Sequence, residues 1–319
     1  MISVVIPAYN EVSGIEWTVD VIRENLNRCN VDFEIIIVDD GSRDGTYEKV
    51  IQMTERGGKI RGIRFSRNFG KEAAILAGLK KARGDAVITI DADLQHPPKL
   101  IPEMIEKWRA GAKVVHAVKN ERSGERFLSR IRSRLFNQIF SALGGIDMSN
   151  ASDFKLLDRV AVDIVIFQMK EKHRFYRGMT KWLGFEQESL FFDVQARRSG
   201  QGKWSLLSLF ELSITALVSF TSAPLRIVTL LGLFTLFFAF IVTTETLWSV
   251  YQGKAVSGFA TLEITILLIG SFVMISLGIV GEYIAKIYEE TQARPTYILS
   301  SHCGFEKENE SGYPTGHMG

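Results

Sequence analysis

Cysteine is nearly absent: the 319 residues hold only Cys29 and Cys303. That excludes a disulfide framework and a thiolate zinc site, and it fits a reducing compartment. Strong net charge is missing too. The formal balance is +2 at pH 7, so no overall field draws the chain to nucleic acid. Two glycine signatures of nucleotide sites are also lacking. Pro7-Ala8-Tyr9-Asn10-Glu11 stands where a dinucleotide fold needs G-x-G-x-x-G, and no G-x-x-x-x-G-K-[ST] occurs. No basic segment precedes Ile2–Ile6, so the start reads as a first strand and not as a signal peptide. Internal repeats and low-complexity stretches do not occur.

Charge is wholly absent from Ile227–Thr244 and from Ile264–Gly281, runs of 18 residues each. Such runs are just long enough to cross a bilayer core, and two membrane helices are expected. Arg226 precedes the first, and Lys286 and Arg294 follow the second, while the connector between them offers only Lys254. Positive charge favours the cytoplasmic side, so both ends are expected inside. Ser205–Ala223, with the single charge Glu211, is a rival third span. A third crossing would put the two ends of the chain on opposite sides, so one or two interface helices are expected there. The expected division is 1–203 as a soluble domain, 204–226 as interface helices, 227–285 as the anchor and 286–319 as a cytoplasmic tail. That tail is polar and expected to be disordered after about residue 300. Two short spans anchor weakly alone, so self-association is expected.

The rest of the chain alternates. Apolar runs at Ile2–Ile6, Phe33–Val38, Ile60–Phe65, Ala86–Ile90 and Ala112–Val118 are separated by helical patterns. This predicts a mostly parallel sheet covered on both faces. Two acidic clusters follow two of these strands: Asp39-Asp40-Gly41-Ser42 and Asp91-Ala92-Asp93-Leu94-Gln95. Ligands of open α/β sheets bind outside the carboxyl ends of the strands. Two carboxylates one residue apart, at that edge, suit a hard divalent cation that also touches a diphosphate. The plainer alternative is a pair of solvated or capping carboxylates, since Asp93 lies close to the helix opened by Pro97-Pro98.

Val5-Ile6-Pro7-Ala8-Tyr9-Asn10-Glu11, Val38–Asp44 and Asp91–Pro98 together resemble the family 2 glycosyltransferases of GT-A fold. Ser66–Glu72, Ser152–Arg159 and Gly281–Tyr288 narrow the resemblance to the polyprenyl-phosphate glycosyltransferases. The resemblance implies a Rossmann-like nucleotide-sugar domain. Pro7, Tyr9, Glu11 and Asp40 would hold base and ribose, with Lys71 approaching the nucleotide. Asp91 and Asp93 would hold Mg²⁺ or Mn²⁺ against the diphosphate, with Gln95 nearby, and Asp93 and Asp153 would be the catalytic carboxylates. Asp153 matches the family's base position, although a lipid phosphate is already largely dianionic at neutral pH and needs little proton abstraction. Arg197, Gly200, Lys203 and Trp204 fit an acceptor-loop pattern R-x-x-G-x-[ST]-K-[YW], with Gly202 where Ser or Thr is usual.

The implied reaction is inverting transfer of one hexose, with UDP-glucose the leading donor, to undecaprenyl phosphate at the cytoplasmic face of the inner membrane. Mannosyl or amino-sugar transfer to the same lipid class is the alternative. A processive polysaccharide synthase would carry Q-x-x-R-W, which this chain lacks, and a non-catalytic homologue is disfavoured by the intact acids. Arg122, Arg126, Arg130 and Arg134 recur every fourth residue, opposite Leu128, Ile131, Leu135 and Ile139. A basic amphipathic helix of this kind is expected to meet membrane lipid and guide the acceptor phosphate. The alternative is a solvated face paired with Glu121 and Glu125.

Overall fold

The computed structural model describes residues 1–57, 59–119, 152–171, 174–192, 223–253, 258–292 and 294–305. The chain divides into two units. One comprises Met1–Arg132, Met148–Gly202 and Arg294–Gly319, and the other Ser133–Asp147 and Lys203–Ala293.

The first unit contains the α/β sheet. Its elements run β1 (Ile2–Ala8), α1 (Ile15–Arg28), β2 (Phe33–Asp39), α2 (Thr46–Glu55), β3 (Ile60–Phe65), α3 (Lys71–Lys81), β4 (Ala86–Thr89), α4 (Ile101–Arg109) and β5 (Val114–Lys119). They continue as β6 (Lys155–Asp158), α5 (Arg159–Asp163), α6 (Tyr176–Trp182), β7 (Gln187–Phe192) and, far downstream, β8 (Leu299–Cys303). Every residue of β1 and β2 is buried, as their unbroken apolar runs require of central parallel strands. In α1 the buried Ile15, Val19, Ile22 and Leu26 keep helical spacing and form the face laid on the sheet.

The described strands make one eight-stranded sheet in the order β7-β5-β6-β4-β1-β2-β3-β8. The neighbours β1–β2, β1–β4, β2–β3 and β5–β7 are parallel. The expected mostly parallel α/β sheet is therefore present. Two antiparallel insertions decide the site. Strand β6 runs antiparallel between β4 and β5, so its beginning lies beside the carboxyl end of β4. Strand β8 runs antiparallel along β3.

Strand β8 departs from the expected disordered tail. Leu299–Cys303 is paired into the sheet, with burial alternating along it. Without it the outer edge of β3 would present a row of unsatisfied backbone groups. The Tyr297 ring, stacked 4.9 Å from Phe65, fixes the approach. Residues 306–319 lie outside the described residues.

In the second unit, α7 (Ala223–Tyr251) and α8 (Phe259–Thr291) contain both expected apolar runs and extend beyond them. Segments Val228–Ser249 and Leu268–Thr291 are long and apolar enough to cross a membrane. Their helices touch one another, with Phe234 and Phe272 edge to face at 5.9 Å. Leu230, Leu233, Phe234, Leu236, Phe237 and Phe240 are all more than half exposed, which water would not favour. The expected interface segment 204–222 lies outside the described residues. So do Arg122, Arg126, Arg130, Arg134, Arg197, Lys203 and Trp204.

Candidate active site

The loops after β1, β2 and β4, the start of α3 and the start of β6 meet at the carboxyl edge of the sheet. Two regions can be distinguished there.

The first is a cleft of about 320 Å³ lined by Tyr9, Gly41, Ser42, Arg43, Arg64, Phe65, Ser66, Arg67, Asn68 and Ser300. Its floor is laced by side chains that hold backbone. Asn10, at φ 58°, donates its N–H to Ser42 Oγ at 2.8 Å and accepts the Arg43 N–H at 3.0 Å. The Glu11 N–H donates to Thr46 Oγ1 and the Val12 N–H to Asp44 Oδ2. Asp40 is buried, and its two carboxylate oxygens accept the N–H groups of Phe69 and Gly70 at 2.7 and 2.9 Å. Burial nonetheless pushes the Asp40 pKa upward against those bonds. Asp40 thus shapes the 67–70 loop, a duty not foreseen from sequence. Gly41 (φ 69°) lies under that loop, where a Cβ would come within 2.5 Å of the Arg67 carbonyl carbon. Pro7 is buried within β1, and Tyr9 is half exposed at the cleft.

The second region is acidic. The Asp93 carboxylate accepts the Gln95 N–H at 3.1 Å across Leu94, whose φ of 49° is strained for a leucine. Burial raises the Glu11 pKa, and the nearby Asp93, Asp44 and Asp91 carboxylates raise it further. Lys71 Nζ stands 2.6 Å from Asp91 Oδ1 and 2.6 Å from Asp153 Oδ2. Burial opposes its charge, but Asp91 and Asp153 outweigh it and hold its pKa above the ordinary lysine value. Asp153 is buried, and Arg177 grips both its oxygens at 2.7 and 2.8 Å. Burial disfavours that anion, yet Arg177 and Lys71 hold it well below the usual carboxylate range.

Beneath lies a buried polar layer. Glu72 accepts the Tyr176 N–H at 2.9 Å, and burial lifts its pKa to about 7, with Asp153 adding to the rise. Lys155 is fully buried, donates to Thr180 Oγ1, and falls to about 7 through desolvation. The Thr89 hydroxyl donates to the Asp153 carbonyl at 2.6 Å, tying β4 to the start of β6.

Sequence reasoning brought Tyr9, Glu11, Lys71, Asp91, Asp93, Gln95 and Asp153 to this edge. Arg177, Glu72, Lys155 and Ser300 also stand at this edge without a role expected from the sequence. His96 is buried with Nδ1 3.7 Å from Asp91 Oδ2, its ring 5.8 Å from Phe154 and 5.5 Å from Phe192.

The donor chemistry fits a hard divalent ion such as Mg²⁺ or Mn²⁺, because Asp91 and Asp93 offer only oxygen. Among the described residues no three acidic, imidazole or thiol groups form a metal cage.

Residues 3–170 match the family described as glycosyl transferase family 2. An uncharacterized glycosyltransferase of Synechocystis sp. is 38% identical over 96% of this chain and 96% of its own. The bactoprenol glucosyl transferase of Shigella phage SfII is 34% identical over 95% of this chain and 99% of its own. Glucosyl-3-phosphoglycerate synthase from Mycobacterium tuberculosis, solved with Mn²⁺, UDP-glucose and phosphoglyceric acid, gives a TM-score of 0.45 at 22% identity. That comparison covers 69% of this chain and 79% of the synthase.

Proposed function

Because this chain belongs to glycosyl transferase family 2, we propose that it moves one hexose from a nucleotide sugar to polyprenyl phosphate at the cytoplasmic membrane face. It is a glycosyltransferase. The lipid carrier is supported by relatives named bactoprenol glucosyl transferase that align over nearly the whole chain, apolar helices included. Their name also makes glucose, carried as UDP-glucose, the leading sugar. One observation carries the reading. Asp91 and Asp93, with Glu11 close by, converge at the sheet's carboxyl edge beside the ion-paired set Lys71, Asp153 and Arg177.

Asp91 and Asp93 would hold Mg²⁺ or Mn²⁺, which supplies Lewis acidity to the departing diphosphate. Tyr9, Ser42 and Arg67 suit the nucleoside, with Asp40 acting beneath them by fixing the loop. The acceptor phosphate has a second pKa near 6, by analogy with phosphorylated side chains, so it arrives mostly dianionic and nucleophilic. Asp153 is then poorly suited to take a proton and well suited to hold Arg177 and Lys71 in position. Those two cations offset the negative charge that the acceptor brings. Direct attack by the phosphate inverts the anomeric carbon.

Strand β8 supports the topology. It lies beyond both apolar helices yet pairs with β3 of the same sheet. That pairing favours one common side of the membrane for sheet and tail, and so an even number of crossings between them. Helices α7 and α8 would supply two. Arg226, Lys286 and Arg294 favour the cytoplasm as that side.

The test uses the full chain in detergent with undecaprenyl phosphate and radiolabelled UDP-glucose, UDP-N-acetylglucosamine or GDP-mannose. A single labelled hexose on the lipid is expected from one donor, and chelation should abolish it. Asp91→Asn and Asp93→Asn should each lower turnover by about a thousandfold, as loss of a main charge-stabilising group does. Undiminished transfer after chelation, or in both variants, overturns the reading.

A further inference from the structure

We propose that β8, the strand that follows the membrane helices, forms one wall of the nucleotide cleft, and that Ser300 contacts the nucleoside of the donor. This rests on the donor reading above and extends it to a segment of the chain that no acidic motif touches.

The register carries the argument. Ser301 lies opposite Arg64, and Leu299 lies opposite Phe65, so Ser300 is the extra residue between consecutive partners. A bulge of this kind bends the strand and re-aims a side chain, and bulges gather beside active sites. Here Ser300 is exposed, whereas Leu299 and Ser301 on either side are half-buried. It lines the cleft opposite residues that all belong to the first 68 positions: Tyr9, Ser42, Arg67 and Asn68 among them.

The bulge is anchored at both ends. Before it, the Ser66 N–H donates to the Ile298 carbonyl at 3.0 Å and Tyr297 stacks on Phe65. Lys80 lies over the other part of this contact, 5.6 Å from the Tyr297 ring. After it, the Cys303 side chain fills the space above Gly62, where a Cβ would meet Sγ at 2.7 Å. Ser300 is thus held at the cleft and does not swing on a loose tail.

The chemistry of the cleft selects the ligand. Arg43 and Arg67 favour an anion, while Arg64 is taken up by Asp39 and Glu48, and the Tyr9 ring offers a flat apolar surface. A serine hydroxyl supplies one donor and two acceptor positions, which suit a ribose hydroxyl or the polar edge of a base. A nucleoside diphosphate meets all three demands: its phosphates answer the arginines, its base the Tyr9 ring, and its ribose or base edge the serine. The donor site is then completed only when the chain has returned from the membrane, which links assembly of the anchor to occupancy of the soluble site.

The experiment measures binding of UMP, GMP and AMP to the full-length protein in detergent, without metal or lipid. Steady-state kinetics with donor and undecaprenyl phosphate accompany it. Ser300→Ala should weaken the preferred nucleotide about threefold to tenfold, the range of one hydrogen bond. Ser300→Phe, which fills the cleft, should weaken it more. In both, the KM for donor should rise while the KM for lipid stays unchanged. His302→Ala, two residues on and outside the cleft lining, should bind as the parent does. Should Ser300→Phe fail to fold, Ser300→Ala decides alone. Parental nucleotide affinity in the Ser300 variants overturns the inference. A parent chain that binds none of the three nucleotides overturns the donor reading itself.

Discussion

At the acidic end of the site, Asp91, Asp153, Lys71 and Arg177 hold one another through charge. At the cleft end, Asp39 and Asp40 are turned inward and hold backbone: Asp39 accepts the Ser42 N–H, and Asp40 those of Phe69 and Gly70. The same residue type therefore serves opposite ends. Ion pairs between side chains can exchange partners when an anionic substrate arrives. Asp40, committed to two amides, cannot, and Asp39 is fixed between the Ser42 N–H and Arg64 Nε at 3.5 Å, so what faces the cleft is cationic or neutral. The acidic end is built to react and the cleft end to recognise, so damage to the first should fall on kcat and damage to the second on the donor KM.

Arg177→Ala gives the largest effect expected from this division. Asp153 would keep only Lys71, which Asp91 also claims. We expect kcat to fall by about a hundredfold or more, comparable to losing one oriented charge-stabilising donor, with donor KM little moved. Stability should drop by about 1–3 kcal/mol, less than for a fully buried pair because Arg177 is partly exposed. The pH dependence has a definite direction. Asp153 titrates below its unfolded value, so its pairing stabilises the fold at any pH above about 4 and is lost only under stronger acid. In the variant the folded pKa of Asp153 lies nearer its unfolded value, so that loss should be smaller and should be complete at a higher pH. An unchanged kcat with a raised donor KM would break the comparison.

Asp40→Asn probes the other end with a smaller change. The amide keeps one carbonyl oxygen, so one of the Phe69 and Gly70 N–H groups loses its acceptor. An unsatisfied buried donor costs about 1–3 kcal/mol, and the 67–70 loop should loosen accordingly. Donor KM should rise about tenfold by the same energy scale, with kcat within a factor of about two. Equal losses in kcat and KM would mean that the loop also positions the reacting groups.

The sequence was most legible where one strand explains itself. Unbroken apolar runs gave β1 to β5 within a few residues, and the acidic clusters at their ends pointed to this edge. Two kinds of feature were not legible. Arg177 reaches Asp153 because β6 runs antiparallel and brings its first residues back to the edge, and no spacing in the sequence encodes that direction. Ser300 belongs to a short polar segment whose reason to be a strand lies in the open edge of β3, more than two hundred residues earlier. One hint was available for each: a lysine inside the strand Lys155-Leu156-Leu157 needed buried partners, and Leu299–Cys303 alternates in a way a free tail need not. The lipid-facing arginines of 122–134 and the Arg197–Trp204 loop remain expectations on residues outside the described ones.

Glu72 offers the smallest effect and the sharpest reading of how deep the charged end extends. It sits in the first turn of α3, next to Lys71, and its carboxylate accepts the Tyr176 N–H. Burial lifts its pKa to about 7, and the Asp153 anion adds to the rise. The unfolded chain releases this proton near pH 4.3, roughly the ordinary value. Between about pH 4.3 and 7 the folded chain therefore binds a proton that the unfolded chain has lost, and stability falls as pH rises through that window. Above it, the cost of the buried anion is constant. Glu72→Gln keeps an oxygen for the Tyr176 N–H and has nothing to ionise. Its melting temperature, followed from pH 4 to 8, should match the parent at the acid end. By pH 8 it should exceed the parent by on the order of 1–3 kcal/mol, the worth of a shift of more than two pKa units reduced for the partial exposure of Glu72. Parallel curves would mean that Glu72 is solvated enough to titrate normally. The charged end would then stop at Asp153, and the polar layer around Lys155 and Thr180 would be scaffold rather than part of the site's electrostatics.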